Sequence, residues 1–334
     1  MGNQFNNPVI FADKILEFFD GLSEVATKIN RSYESSFVMT KESVGQTVYV
    51  EKPPRFTAQN GPVVTSVQDI NMGKIPVYID TWKTVPVKLT GLDLTFNARG
   101  FDVWAEKYLK PIVSPLANAV DVAVFNLYKK IANQVGVCGT GFGATAATAF
   151  DLVAAAREKM TLVGNTPQED RMIFLHPTAS RKFGTGVATG YNPAQAIGST
   201  MQSGKPYHTA GFDIFEANNI AVMTAGTLVT GDTPTVATTG ALQTGSALTV
   251  ASVSTHTLPV GGLLNIAGVY SVNPTSKVST GILQDFVVTQ AFTGATTGTI
   301  YIDPPIIPTG AFQNVSNSPA LSSAITIPGV PVAS

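Results

Sequence analysis

Gly139, Gly141 and Ala144 stand at the spacing G-x-G-x-x-A. That motif cradles a dinucleotide pyrophosphate on backbone amides where a strand gives way to a helix. The element before it here reads as helical, so the geometry fails and a flexible linker explains the small residues better. His176, His208 and His256 fall in three separate segments, none with a Cys, Asp or Glu at metal-ligand spacing, and they read as structural or surface residues. Cys138, the only cysteine, lies in the same glycine-rich stretch with no base placed beside it. Ser114 lacks a G-x-S-x-G elbow and is better explained as a helix cap. Glu17, Glu24, Glu34, Glu42 and Glu51 are spread along an amphipathic or extended arm, where solvated or inter-subunit contacts explain them. Arg171, Arg181 and Lys182 form a basic cluster too small for sequence-specific nucleic-acid binding. Asn30-Arg-Ser32 and Asn314-Val-Ser316 match the glycosylation pattern, which matters only in an exported chain. No constellation demands an enzyme, and the residues assign no catalytic, cofactor-binding or metal-binding site.

Composition narrows the class further. Charged residues make up 13% of the chain and hydrophobic ones 44%; the usual charged share is about 25%. A surface so poor in charge points to cover by neighbouring subunits, or to a secreted β-rich protein with a Thr/Ser surface. The N-terminus, MGNQFNNPVIFADKILEFF, has no basic leader, and Asp13, Lys14 and Glu17 interrupt its apolar residues, so it is not an export signal. One cysteine excludes an internal disulfide framework and fits a reducing compartment, so synthesis in a cytosol is expected. No apolar run is long enough to span a membrane. With a net charge of -1, the chain has no basic field for nucleic acid or anionic lipid.

The elements that would position any site follow from hydropathy patterning. Leu116, Val120, Val124, Leu127 and Ile131 repeat at the spacing of one helical stripe, the longest such signal in the chain. Ser114 with Pro115 predicts a cap and first turn, Gly136 a stop, and Pro111 and Pro115 either a kink or a break into two helices. A continuous helix from Ala98 to Gly136 would be roughly 50 Å long, a strut rather than a core helix. Before it, Asn7-Pro8 opens a short apolar helix. Runs at 47–50, 75–82 and 84–90 alternate with period two around a Pro- and Gly-rich stretch, which predicts a long extended hairpin. After it, Thr148 and Asp151 make a capping-box-like start to a helix closed by Gly164, followed by strands at 171–175 and 211–220: one α/β or α+β unit over about 137–222. From 221 to 334 the only charged residues are Asp232, Lys277, Asp285 and Asp303, and strand-like runs alternate with turns, which predicts a small β-sandwich or barrel.

The arm VGQTVYVEKPPRF, the strut LTFNARGFDVWAEKYLKPIVSPLANAVDVAVFNLYKKI, the segment GFDIFEANNI and the run NIAGVYSVNPTSKVSTGILQDFVVT together resemble the major capsid (coat) proteins of tailed double-stranded-DNA bacteriophages. The likeness is to the P22-like branch with an added domain, and it covers nearly the whole chain. The resemblance implies an α+β, HK97-like capsid fold with a long spine helix, an extended loop and an inserted all-β domain. It implies an N-terminal arm at 1–36, an extended loop at 37–96, a peripheral domain with the spine helix at 97–147, an axial domain at 148–222 and an inserted β-barrel-like domain at 223–334. It further implies self-assembly into pentamers and hexamers of an icosahedral shell enclosing double-stranded DNA without sequence-specific contacts. A scaffolding protein and a portal protein are the implied partners, with a decoration protein as a further one and no membrane. The implied location is the virion, after synthesis in a bacterial host's cytoplasm. An encapsulin-like nanocompartment on the same fold is the alternative. Members of the branch return from the added domain through a further β-rich segment, whereas this sequence stops at Ser334 near the expected return; it is either truncated or closed differently.

Overall fold

The computed structural model describes residues 8–29, 47–56, 58–59, 61–64, 67–70, 72–78, 81–87, 101–136, 146–164, 171–190, 208–223, 226, 234–237, 243–251, 257–294 and 297–328. Two compact units emerge: residues 1–51, 74–126 and 219–221 form one, and residues 52–73, 127–218 and 222–334 the other.

In the first unit, helix α1 (Pro8–Leu22) packs on a helical run made of α2 (Phe101–Trp104), a π-helical segment (Ala105–Leu109) and α3 (Lys110–Phe125). Prolines at 111 and 115 give up backbone donors, and a proline ring clashes with the carbonyl four residues back. The run accommodates this by widening the turn before Pro111: the Lys110 N–H reaches back to the Ala105 carbonyl, five residues earlier. Neither a break nor a cap at Ser114 occurs, because Ser114 and Pro115 both lie inside α3. The run is about 37 Å long, shorter than expected because a 3₁₀ segment (Asn126–Lys130) follows it and the chain then turns irregular. Its buried face is not the stripe that hydropathy marks. Trp104, Ala105 and Leu109 pack with Phe18 and Ile112, and Val113, Ala117 and Asp121 extend the buried stripe. Of the predicted stripe, Leu127 and Ile131 are 50% and 55% exposed.

Strands β1 (Val48–Glu51) and β2 (Lys74–Val77) pair antiparallel as an isolated ribbon, with Val48 opposite Val77. Pro76 is tolerated because each strand of such a ribbon has a free edge. Residues 81–87 form no strand; Pro86 removes a donor there.

In the second unit, α4 (Ala146–Leu162) and α5 (Pro177–Gly190) pack together beside a sheet of β3 (Met172–Leu175), β4 (His208–Thr209) and β5 (Phe212–Glu216). β3 and β5 are parallel, with α5 in the crossover between them. Val153, Leu175, Phe183, Phe212 and Ile214 form the core. Thr148 lies inside α4, whose first residue is Ala146, so the expected capping box is not its start.

The remaining strands are β6 (Thr235–Val236), β7 (Gly245–Ala251), β8 (Thr257–Leu258), β9 (Leu263–Val272), β10 (Ser279–Val288), β11 (Phe292–Thr293), β12 (Thr297–Ile306) and β13 (Ile325–Thr326). β8 and β11 pair with each other, while the other six form one antiparallel sheet in the order β13-β9-β10-β12-β7-β6. Its two edges meet: Thr235 bridges Ala324, and Ile325 N donates to the Pro234 carbonyl at 2.7 Å. The sheet is therefore closed, which removes its free edges. Alternate residues point inward, and Leu248, Val250, Leu264, Ile266, Phe286, Val288, Ile300 and Ile302 fill the interior. β9 and β10 also bury part of their outer face, where Leu263 and Val287 pack against Ala132 and Met223.

Gly261 shows how tightly the chain is fitted there. It has φ +88°, and a Cβ on it would lie 2.7 Å from Lys129 Cγ and 3.0 Å from Lys129 Cα. Gly261→Ala therefore combines a left-handed backbone with a clash, and it should cost about 1–3 kcal/mol. A drop in the urea midpoint measures this; an unchanged midpoint would show that the turn relaxes freely.

Candidate interaction surface

The residues with chemical potential do not converge. His176 holds the start of α5: its Nδ1 lies 2.8 Å from Thr178 Oγ1 and accepts from Thr178 N, and its carbonyl accepts from Ser180 N. His208 Nδ1 lies 2.8 Å from Asp213 Oδ1 on the adjacent strand, with both side chains exposed. Arg171 is buried behind Thr161, so it makes no basic patch with the exposed Arg181 and Lys182. Ser114 is exposed on α3. Glu17 pairs with Lys14 one helical turn away, Glu24 is exposed, and Glu51 sits opposite Lys74 in the ribbon. Asn314 is engaged on both sides of its amide, donating to the Pro305 carbonyl and accepting from Ile307 N, which fixes a turn. Cys138, Gly139, Gly141, Ala144, His256, Glu34, Glu42 and Asn30-Arg-Ser32 lie outside the described residues.

Among the described residues no three or more of His, Cys, Asp and Glu gather as metal ligands, and no helix is long and apolar enough to cross a membrane. A shallow groove of about 500 Å³ runs along α4 past Phe150, Ala154, Arg157, Leu162 and Ala210, and its walls are mostly apolar. Inside the closed sheet a gap of about 10 Å³ lies between Val250, Leu258, Phe292 and Ile300. That is too small and apolar a gap to hold a ligand, so the interior is a packed core.

Two carboxylates that hydropathy patterning passed over organise the structure. Asp121, 1% exposed, sits in the buried stripe of α3 and reaches the turn that follows α1. It accepts from Ser23 Oγ at 2.9 Å, from Glu24 N at 3.0 Å and from Val25 N at 3.4 Å. Ser23 Oγ in turn accepts from Ala26 N. Asp285, 5% exposed on β10, pairs with Lys159 of α4 and accepts from Asn265 Nδ2 and from Gln134 N. An acid inside an apolar run, as in NAVDVAVF or ILQDFVV, was the available signal for both. A buried ion needs a partner, so such an acid implies a donor brought from elsewhere in the chain. Lys277, in the turn after β9, donates to the Ala311 carbonyl at 2.7 Å. Partial burial, and then the nearby Arg55 charge, hold its ammonium below the ordinary lysine range.

The surface that stands out is apolar. From Tyr49 to Val87 the ribbon and its flanks expose Phe56, Val63, Val64, Ile70, Met72, Tyr78 and Val85, with Val67 at 87% and Trp82 at 66% exposure. Soluble monomers scatter such residues singly, whereas a run of them marks a surface that another body covers. The ribbon has a backbone ladder but little apolar packing of its own, and a lone two-stranded ribbon is marginal in water. Half-buried Leu116, Val120 and Val124 form a second apolar strip along α3.

The family model described as "P22 coat protein - gene protein 5" matches residues 3–334. Among solved structures, the CUS-3 coat protein I-domain is 34% identical over 25% of this chain and 75% of its own, with a TM-score of 0.20. A structure from Mycobacterium phage Che8 is 16% identical, covers 85% of each chain and has a TM-score of 0.43. No curated protein matches.

Proposed function

Since this chain belongs to the P22 coat protein family, we propose that it builds an icosahedral shell from its own pentamers and hexamers around packaged double-stranded DNA. It is a structural phage coat protein, its place is the virion capsid, and its role is assembly rather than catalysis. The observation that carries the finer reading is the exposed apolar ribbon. A surface of that kind needs a neighbouring copy, and its mate lies on a different face of that copy. Such head-to-tail contacts close into rings when the rotation permits.

On this proposal the chain has an HK97-like fold, with the arm at 1–36, the extended loop at 37–96, the peripheral domain at 97–147, the axial domain at 148–222 and the inserted β domain at 223–334. The closed sheet supports the last assignment, and the long helical run supports the third. A scaffolding protein would direct assembly, a portal protein would admit DNA, and a decoration protein would dock outside. With a net charge of -1, the coat has no strong field of its own for DNA, which fits a shell that encloses a genome without reading it. The test is to recover particles from cells that also make the neighbouring gene products, treat them with nuclease and extract the contents. Protected DNA of one length is expected. Particles filled with a single enzyme would instead make this a nanocompartment.

A further inference from the structure

Asp285 lies where three parts of the second unit meet. Its carboxylate takes Lys159 Nζ from α4, Gln134 N at 3.2 Å from the chain beyond the 3₁₀ segment, and Asn265 Nδ2 at 2.6 Å from β9. Lys159 Nζ also donates to the Gln134 carbonyl at 2.7 Å, so both backbone polar atoms of Gln134 are locked into the ion pair. Asn265 is held in turn by the Gln284 carbonyl at 3.1 Å. Around this node the apolar dock is small. Ala132 meets Leu263 and Val287, and Gly164 stands so close to Pro274 that a Cβ there would fall 2.6 Å from its ring.

We propose that this node is a two-state latch. It fixes the closed sheet to the α4 layer and to the chain leaving the long helix, so that in a shell the three would move as one body. A half-open latch would strand an ammonium or a carboxylate in a dry site, which costs far more than either end state. The dock is therefore either closed and dry or fully open and hydrated, with nothing stable between, as bistable elements require. The part of this inference that concerns the shell rests on the coat-protein reading; the latch does not.

Hydrogen exchange followed by mass spectrometry on the full chain tests it, using Lys159→Met, Asp285→Asn and the double variant that leaves no charge unpaired. In each single variant, amides of 131–136 and 146–162 should exchange at least about ten-fold faster while strands 263–272 and 297–306 keep their protection. The double variant should recover much of that loss, the mark of a coupled pair. Lys159 lies outside the closed sheet, so Lys159→Met decides the matter even if Asp285→Asn does not fold. Unchanged exchange in 131–136 and 146–162 for Lys159→Met overturns the latch, as does equal acceleration throughout the sheet. Failure of the unaltered chain to form shells would count against the coat reading and leave the latch standing.

Discussion

A chain lacking residues 37–96 should keep its closed sheet, melting within about 2 °C of the full chain, and should form no closed particles. Among the described residues, the core of the closed sheet and that of the α/β layer contain none from this segment, so its loss should open no cavity in either. What is lost is the ribbon together with exposed Val67, Trp82 and neighbours. If a neighbouring copy provides that cover, every ring contact loses part of its apolar area at once, and assembly depends steeply on contact strength because each subunit makes several. Light scattering and electron microscopy should then show only small species. Intact shells from the shortened chain would mean the ribbon is not an assembly element.

Asp121→Ala should destabilise the first unit by about 3 kcal/mol. The substitution strips Ser23 Oγ, Glu24 N and Val25 N of their shared acceptor and leaves a gap beside Val113 and Ala117. Asp121→Asn should cost roughly half as much, since one oxygen still accepts. Loss of protection should appear first in α1 and the turn at 23–28, which that carboxylate ties to the long helix. Urea unfolding followed by tryptophan fluorescence reads the effect through Trp104, buried in the same cluster as Phe18. A cost under about 1 kcal/mol would show that the turn holds without its acceptor.

Much of this architecture is legible in the residues themselves. β9, β10 and β12 coincide with strand-like runs between turn residues, and the shortage of charge after residue 220 marks the β-rich part. The closure of the sheet is not legible, because β6 and β13 are two residues each and too short to show a period. The long helix is found, but its inward face does not follow hydropathy. Hydropathy favours Leu116, Val120, Val124, Leu127 and Ile131, whereas packing against α1 selects Val113, the small Ala117 and the charged Asp121. Proline signals at 111 and 115 allow either a kink or a break, and the chain runs through both as α3, with a π-helical turn just before them. Asp121 and Asp285 escape for the opposite reason: a scan for clustered acids passes over single acids, and each finds its partners about 20 to 150 residues away.

The most direct test of the central claim is cryo-electron microscopy of the purified full-length protein, made alone and alongside its genomic neighbours. The account predicts closed, uniform shells with five-fold and six-fold clusters, in which density for residues 48–77 lies against an adjacent subunit. Protein that stays monomeric under both conditions, or shells in which that ribbon touches only solvent, would contradict it.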